Sequence, residues 1–345
     1  MKKVFTTTMY IEKHKKYNRT KIKKAKKRKY KFYDLNKPSL RDSFLKQMTT
    51  KYKDLQFPKN FSIINNPSEV LAFFDKLLIM IEEKVAVNLK MEDVDEITPD
   101  AILYLLSIFK EIEHSGIESS IKGNAPVNQK CKELFVKSGF YRYVKQHKKN
   151  NFEDKSIFTI KEGTNCLSSV AKDVISYVRK HLDMEDKPTK MTKDVYAIII
   201  ESMTNTFNHS SIDKDKAKWY LMAYHTQDEV HFTFLDSGLG IPKTLQTNFM
   251  DTIHMLKSLH ITKDHQLILS ALNGDFRTAT KENKRGKGLP KIMRISKSNS
   301  IKESILVSNL GYVNCTNGTS KVLDTRFHGT LLSWKIVKGE VNENN

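Results

Sequence analysis

Residues 195–209 have the sequence Val-Tyr-Ala-Ile-Ile-Ile-Glu-Ser-Met-Thr-Asn-Thr-Phe-Asn-His, and the fold prediction starts from this stretch. The apolar run at 195–200 predicts a buried helix that continues into the polar residues after it. On that helix Glu201 and Asn205 are four residues apart and share one face, with His209 one step further along. A carboxylate can polarise water, and an amide oxygen suits Mg²⁺. Taken alone, this spacing is weak, and a solvated helix face is the default interpretation.

A strand end followed by glycines is the second feature. Residues 218–224 and 229–235 are rich in β-forming side chains and predict two strands joined by a turn at 227–228. The second strand ends in Asp236, which is followed by Gly238 and Gly240. The Asp can accept a hydrogen bond from an amino group, while the glycines let the chain turn tightly against a flat ligand.

Two more glycine motifs lie nearer the C-terminus. The first precedes a predicted helix and consists of Arg285, Gly286, Lys287, Gly288 and Leu289. Its glycines let backbone N–H groups approach a phosphate, the helix dipole favours the anion, and the two basic side chains add positive charge. The second is Gly329-Thr330, directly before a predicted strand at 331–336.

The four motifs in this order resemble the N, G1, G2 and G3 boxes of the GHKL ATPases, the superfamily of gyrase B, heat-shock chaperones, histidine kinases and MutL. The resemblance covers about residues 165–338 and implies a Bergerat-fold α/β sandwich, a mixed sheet covered by helices, that binds ATP and Mg²⁺. It implies that Glu201 orients or deprotonates the attacking water or hydroxyl. Asn205 would hold Mg²⁺.

The resemblance also assigns the ends of the nucleotide. Asp236 would accept from the adenine amine with Thr330 nearby, and two glycines would shape the adenine pocket, Gly238 and Gly240. The phosphates would be bound by a further group, Arg285, Gly286, Lys287, Gly288 and Leu289. For His209, phosphate contact and a structural capping or packing role both stay open. A Glu at position 201 favours hydrolysis or Ser/Thr phosphorylation over a sensor histidine kinase.

The positive charge of the chain is concentrated at its N-terminus. Residues 1–60 contain 20 Lys and Arg against 4 Asp and Glu, so they carry 16 of the net 20 positive charges. We expect a mobile basic arm at 1–59. Basic residues are densest at 21–31, and tyrosines are interleaved with them, which predicts contact of residues 1–33 with nucleic acid or with an acidic protein. A solubilising tail is the alternative.

Residues 60–150 alternate predicted strands and helices and form a predicted α/β domain. One helix is expected at 69–83 with Ser68 as its cap. Another is expected to start at Thr98-Pro99-Asp100 and to stop at Gly116. The domain resembles the STAS family of sulfate transporters and anti-sigma-factor antagonists, which implies a protein partner. Pro99 occupies the position of the serine that is phosphorylated in regulated members, so no phosphoswitch is expected there.

The remaining predictions concern organisation and function. A linker is expected at 151–164 and a tail at 339–345. The N-terminus has no apolar signal segment, no apolar run is long enough to span a membrane, and the three cysteines are scattered, so we expect a cytoplasmic protein without a cysteine zinc site. The predicted function is an ATP-binding regulator that hydrolyses ATP to switch contacts with a protein or nucleic-acid partner. A Ser/Thr kinase of anti-sigma type, an ATP-responsive module without turnover and a homodimer stay open.

Overall fold

The structure, a computed structural model, describes residues 51–116, 120–144, 157–209, 217–248, 262–276 and 287–338. The basic segment 1–33, the tail 339–345 and the predicted phosphate-site residues Arg285 and Gly286 therefore lie outside the described residues. Residues from Tyr52 onwards belong to one compact unit. No helix in the described ranges is long and apolar enough to cross a membrane.

The N-terminal half is built from short parallel strands and helices. Its elements are β1 (Lys53–Gln56), β2 (Asn60–Phe61), α1 (Pro67–Glu82), β3 (Val87–Lys90), β4 (Glu96–Ile97), α2 (Pro99–Ser115), β5 (Ile121–Gly123), α3 (Gln129–Lys137) and α4 (Phe140–Tyr143). Strands β1, β3 and β5 form one parallel sheet in that order, and β2 pairs with β4 in a second parallel pair. The predicted α/β character of this half is confirmed.

Helix α2 begins and ends where its local sequence predicts. Thr98 is the N-cap, Pro99 occupies the first turn, and Gly116 ends the helix in the left-handed region with φ 68°. Pro at this position loses no helical hydrogen bond, and a glycine adopts positive φ without steric cost. Asp100 does more than face the helix dipole, because its carboxylate is buried and accepts a 2.6 Å hydrogen bond from Ile63 N.

The predicted cap of helix α1 is wrong. Asn66 is the N-cap, and Ser68 lies inside the first turn. The Ser68 hydroxyl instead donates to Asp324 Oδ2 over 3.1 Å, far along the chain. A serine side chain near a helix start can form several alternative hydrogen bonds. Here it bonds to a carboxylate that is distant in sequence, in place of a local capping bond.

The C-terminal half is one sheet with helices against it. Its elements are β6 (Ile157–Gly163), α5 (Ser168–His181), α6 (Lys190–His209), β7 (Trp219–His225), β8 (Glu229–Asp236), α7 (Ile241–Asn248), α8 (Asp264–Asn273), α9 (Gly288–Ser296), β9 (Lys302–Asn314) and β10 (Ser320–Val337). The strand order is β6-β7-β8-β10-β9. The expectation of a mixed sheet is wrong for these strands, because every pairing is antiparallel. The hairpin of β9 and β10 inserts β10 beside β8 and thereby sets its direction.

The five-stranded sheet is covered on both faces because apolar residues alternate along its strands. One face contributes to a core shared with the N-terminal half, through Ile160, Tyr220, Met222, Leu235, Val307, Phe327 and Leu331. The other face joins the core of helices α5, α6, α8 and α9, through Phe158, Trp219, Leu221, Phe232, Phe234, Leu306 and Trp334. The sheet is thus the middle layer of the described unit.

Two strands occupy segments that the sequence analysis assigned to the arm and the linker. β1, at the end of the predicted arm, pairs in parallel with β3, and β6, within the predicted linker, pairs with β7. Both strands are polar on one side, and their partners lie tens of residues away. Their sequences therefore resemble loops until the partner strand is known. The division into domains stays a prediction.

Candidate functional site

The first part of the site joins α6 to the beginning of α9. Glu201 and Asn205 lie on the same face of α6, as their spacing predicts, and both are half-buried. Gly288 is the first residue of α9, and a Cβ atom there would lie 3.0 Å from both Asn205 Oδ1 and Glu201 Oε2. Only a residue without a side chain fits this approach without displacing one of the two polar groups. The structure thus brings the first and third sequence motifs together.

A lysine that the sequence analysis did not assign to the site also reaches Glu201. Lys291 Nζ lies 2.7 Å from Glu201 Oε1, in an ion pair between the first turn of α9 and the middle of α6. The Lys291 side chain is 39% exposed and the Glu201 side chain is 21% exposed, so solvent reaches the pair. A lysine in the first turn of a helix is unfavourable, because the N-terminal end of the helix dipole is itself positive. Its position here therefore indicates a role other than stabilising the helix.

The second part of the site lies at the end of β8. Asp236 is flanked by Trp219 of β7 and Thr330 of β10, its register partners in the sheet. Its carboxylate accepts a hydrogen bond from the backbone N–H of Gly238 over 2.9 Å. Burial raises the pKa of Asp236 to about 6, and the Gly238 N–H and the neighbouring Thr330 hydroxyl oppose that rise. Asp236 as a whole residue keeps partial exposure to solvent.

Glycines at two positions permit the close contacts around Asp236. A Cβ at Gly238 would lie 2.8 Å from Asp236 Oδ1, where it would crowd the carboxylate. Gly329 has φ +102°, and a Cβ there would lie only 2.0 Å from the Asp236 carbonyl oxygen. The second and fourth sequence motifs therefore meet through backbone contact as well as through the Thr330 hydroxyl.

Two polar side chains of β9 hold the chain that follows Asp236. The Ser308 hydroxyl accepts from Ile241 N over 2.9 Å and donates to the Gly329 carbonyl over 2.9 Å. Asn309 Nδ2 donates to the Leu239 carbonyl over 3.1 Å. A Cβ at Gly240, whose φ is +84°, would lie 2.7 Å from Asn309 Nδ2. These side chains fix the path from β8 into α7.

The other predicted site residues have separate outcomes. Lys287 is the N-cap residue of α9. Leu289 follows in the first turn and packs against the helix-side core. His209 is the last residue of α6, but its side chain is outside the described part of the chain. Arg285 and Gly286 lie in the undescribed range 277–286, so their predicted phosphate contacts stay predictions.

The donor set fits a magnesium ion only in company with phosphate oxygens. No group of three or more His, Cys, Asp or Glu side chains that could hold a metal occurs among the described residues. Asn205 offers one amide oxygen, and the nearest carboxylate, Glu201, is paired with Lys291. Mg²⁺ commonly uses one or two protein ligands together with substrate phosphates and water, so this set is compatible with metal that arrives with a nucleotide.

Three residues of the site escaped the sequence reasoning, namely Lys291, Ser308 and Asn309. Lys291 could have been predicted from its basic charge three residues after Gly288, at the start of a helix. For Asn309 the corresponding feature was an amide residue inside a strand-forming stretch, and the backbone there has φ 48°. No sequence feature predicts the role of Ser308, since a serine in a strand is common and its hydrogen-bond partners are 67 and 21 residues away.

No protein-family model matches this chain, and a search of the curated proteins found no match.

Proposed function

We propose that this chain binds Mg-ATP between the α6–α9 contact and the end of β8, and hydrolyses it to switch contacts with a partner. One observation supports this above the others: four motifs spread over residues 201–330 converge into two polar clusters. Glu201 and Asn205 meet Gly288 in one cluster, and Asp236 meets Thr330 in the other. Helix α6 also packs on β8, so the two clusters belong to neighbouring elements.

The cluster at Asp236 suits an adenine ring. An ionised carboxylate accepts from the exocyclic amine, and a pKa near 6 leaves Asp236 mostly ionised at neutral pH. Thr330 is the register partner of Asp236, and its hydroxyl would face the ring or a bridging water. Glycines at 238 and 240 keep the entrance free of side chains.

The cluster at α9 suits phosphates. The helix begins with Gly288, whose backbone N–H and lack of a side chain allow close approach of an anion, and the helix dipole favours negative charge there. Asn205 would supply an oxygen to Mg²⁺, which when bound neutralises phosphate charge. Glu201 would accept the proton of the attacking water, and Lys291 would hold that carboxylate in place.

The fold assignments belong to the same proposal. The C-terminal half would be a Bergerat-type nucleotide domain, supported by the convergence of the four motifs against one sheet. The N-terminal half would be STAS-like, supported by parallel strands that alternate with helices and by the Thr98-Pro99 start of α2. A protein partner at that half and a nucleic-acid or acidic partner at residues 1–33 would be the contacts that ATP switches.

The experiment compares the full-length protein with Glu201→Gln and Asp236→Asn. Calorimetry with Mg-ATP should show binding by the wild type, affinity within a few-fold for Glu201→Gln, and about ten- to hundredfold weaker binding for Asp236→Asn. Glu201→Gln should lose most phosphate release, since general-base catalysis contributes about 10²–10⁴.

Each alternative has its own result in the same assay with γ-labelled ATP. Label transferred to protein would favour the kinase, and binding without release or transfer would favour the ATP-responsive module. No binding by the wild type, or equal affinity in the wild type and Asp236→Asn, would overturn the proposed pocket.

A further inference from the structure

A tyrosine of the N-terminal half lies against the strand that carries Thr330. Tyr104, in the middle of α2, is only 1% exposed, and its ring stacks on Phe327 of β10 with centroids 4.3 Å apart. Its hydroxyl oxygen accepts a hydrogen bond from the backbone N–H of His328 over 3.0 Å. Burial raises the pKa of Tyr104, so the phenol stays protonated at neutral pH.

The contact falls on an irregularity of β10. Phe327 lies opposite Asn309, and Thr330 lies opposite Ser308, so three steps along β10 correspond to one step along β9. His328 and Gly329 are the extra residues of this bulge. A bulge removes a backbone N–H from the ladder, and a buried N–H without an acceptor is costly. Tyr104 supplies the acceptor that β9 does not.

The bulge sets the position of the residues around Asp236. Directly after it, Thr330 pairs with Asp236 in the β8–β10 ladder. Inside it, the Gly329 carbonyl accepts from Ser308, and the Gly329 Cα closely approaches the Asp236 carbonyl oxygen. We therefore expect a change in the bulge to move the Thr330 hydroxyl relative to the carboxylate.

We propose that Tyr104 is a positioning residue of the nucleotide site, through which the N-terminal half holds the β10 bulge and sets the Thr330–Asp236 geometry. This inference rests on the proposed function. It makes α2 a part of the pocket's support, since ring and hydroxyl of Tyr104 contact two consecutive residues, Phe327 and His328, just before Gly329. A partner that shifted α2 would alter adenine binding without touching the nucleotide.

The chain offers a matched control for the test. The hydroxyl of Tyr312 in β9 also forms a hydrogen bond between the two halves, but as a donor, to the Ile64 carbonyl over 3.3 Å, and that bond involves no residue of the bulge. Tyr104→Phe and Tyr312→Phe each remove one hydroxyl and keep the ring. Any general weakening of the contact between the halves should appear in both variants.

The first measurement needs no nucleotide. Amide hydrogen exchange in the full-length protein should be about tenfold faster at His328 in Tyr104→Phe, and unchanged there in Tyr312→Phe. The second measurement is Mg-ATP affinity by calorimetry. We expect about three- to tenfold weaker binding by Tyr104→Phe and less than a twofold change for Tyr312→Phe. Unchanged unfolding midpoints would show that both variants are folded.

The outcomes separate this inference from the proposed function. Unchanged exchange at His328 in Tyr104→Phe overturns the inference, as does faster exchange with unaltered ATP affinity in a protein that binds ATP. Equal losses in both variants also overturn it, because the effect then belongs to the whole contact. A wild type that binds no ATP overturns the proposed function, and with it the nucleotide role of Tyr104, whatever the exchange at His328 shows.

Discussion

Lys291 Nζ and Glu201 Oε1 form a 2.7 Å ion pair that joins α9 to α6. The pair places a cation beside the carboxylate that borders Gly288, so these two charges balance each other. Partly exposed ion pairs contribute about 0–1 kcal/mol to stability, too little to explain a lysine in a first helical turn as a fold requirement. We therefore expect its effect to appear in ligand affinity.

Lys291→Gln should weaken ATP binding about tenfold, because the unpaired Glu201 carboxylate then repels the phosphates. Adenosine, which has no phosphate, should bind the wild type and the variant equally. Calorimetry with both ligands measures the difference. The double variant Glu201→Gln/Lys291→Gln restores neutrality and should recover most of the affinity. Equal ATP affinity of the wild type and Lys291→Gln would contradict this role.

The affinity for ATP should fall as the pH drops through about 6. Burial raises the pKa of Asp236 to about 6, and the adenine amine needs the ionised form, so each pH unit below the pKa costs about tenfold. Asp236→Asn retains the phosphate titration of the ligand but lacks the carboxylate. Its affinity should therefore approach that of the wild type at low pH, as titrations across this range can test.

The raised pKa of Asp236 also affects stability, and it favours low pH rather than high pH. Without ligand, it adds to the free energy of unfolding, and this contribution is fully present below the ordinary pKa of an Asp. It is lost as the pH rises through about 6.

For the binding prediction, identical pH profiles of ATP affinity for the wild type and Asp236→Asn would show that Asp236 does not titrate in the pocket.

Gly329→Ala should destabilise the protein by about 2–6 kcal/mol. Its φ of +102° is strained for alanine, and its Cβ would lie 2.0 Å from a backbone oxygen that cannot move away cheaply. Gly116→Ala is the matched control, since Gly116 has φ +68° but nothing within 4 Å of its Cβ position. That variant should lose only about 1 kcal/mol. Urea unfolding of both variants compares them, and similar losses would argue against a close contact at Gly329.

Deletion of residues 1–33 should abolish salt-dependent binding to polyanions while leaving ATP affinity intact. The segment contains a large share of the net charge, and the four motifs all lie beyond residue 200. Binding of the full chain to duplex DNA should weaken with salt at a log–log slope of about −0.9 per phosphate neutralised. If the deletion leaves nucleic-acid binding unchanged, the basic segment has another purpose, and an acidic protein becomes the partner to test.

Local signals predicted the elements whose ends are set locally. Helix α2 has its cap, its proline and its terminal glycine within its own sequence and was found close to its bounds. Helix α6 has a long apolar run, so its presence was predicted. Strands β1, β6 and β9 were missed, because each becomes a strand only through a partner remote in sequence or a hairpin return. The prediction of a mixed sheet was wrong for the same reason, because the sequence near β10 does not indicate which strands it pairs with.

For the candidate site, sequence spacing predicted the shared face of Glu201 and Asn205 and the strand-end position of Asp236. The glycines were predicted to allow close approach of a ligand, and the structure adds close approach to the protein's own atoms at 238, 288 and 329. Lys291 and Tyr104 could not be predicted from their surroundings. Each acts on a residue about 90 or more positions away, so only the folded chain defines the pair.

The central place of β10 in the sheet has a consequence for synthesis on the ribosome. β10 is the last strand that the structure describes, yet it lies between β8 and β9. Until residue 337 leaves the exit tunnel, β8 has an unpaired edge, and the apolar residues that α2 and α6 bury against the sheet lack part of their cover. At about 5–20 residues per second, this exposure lasts several seconds for the preceding segments. The nascent chain is therefore most prone to aggregation between the synthesis of β8 and that of β10, and chaperone dependence should fall on this interval.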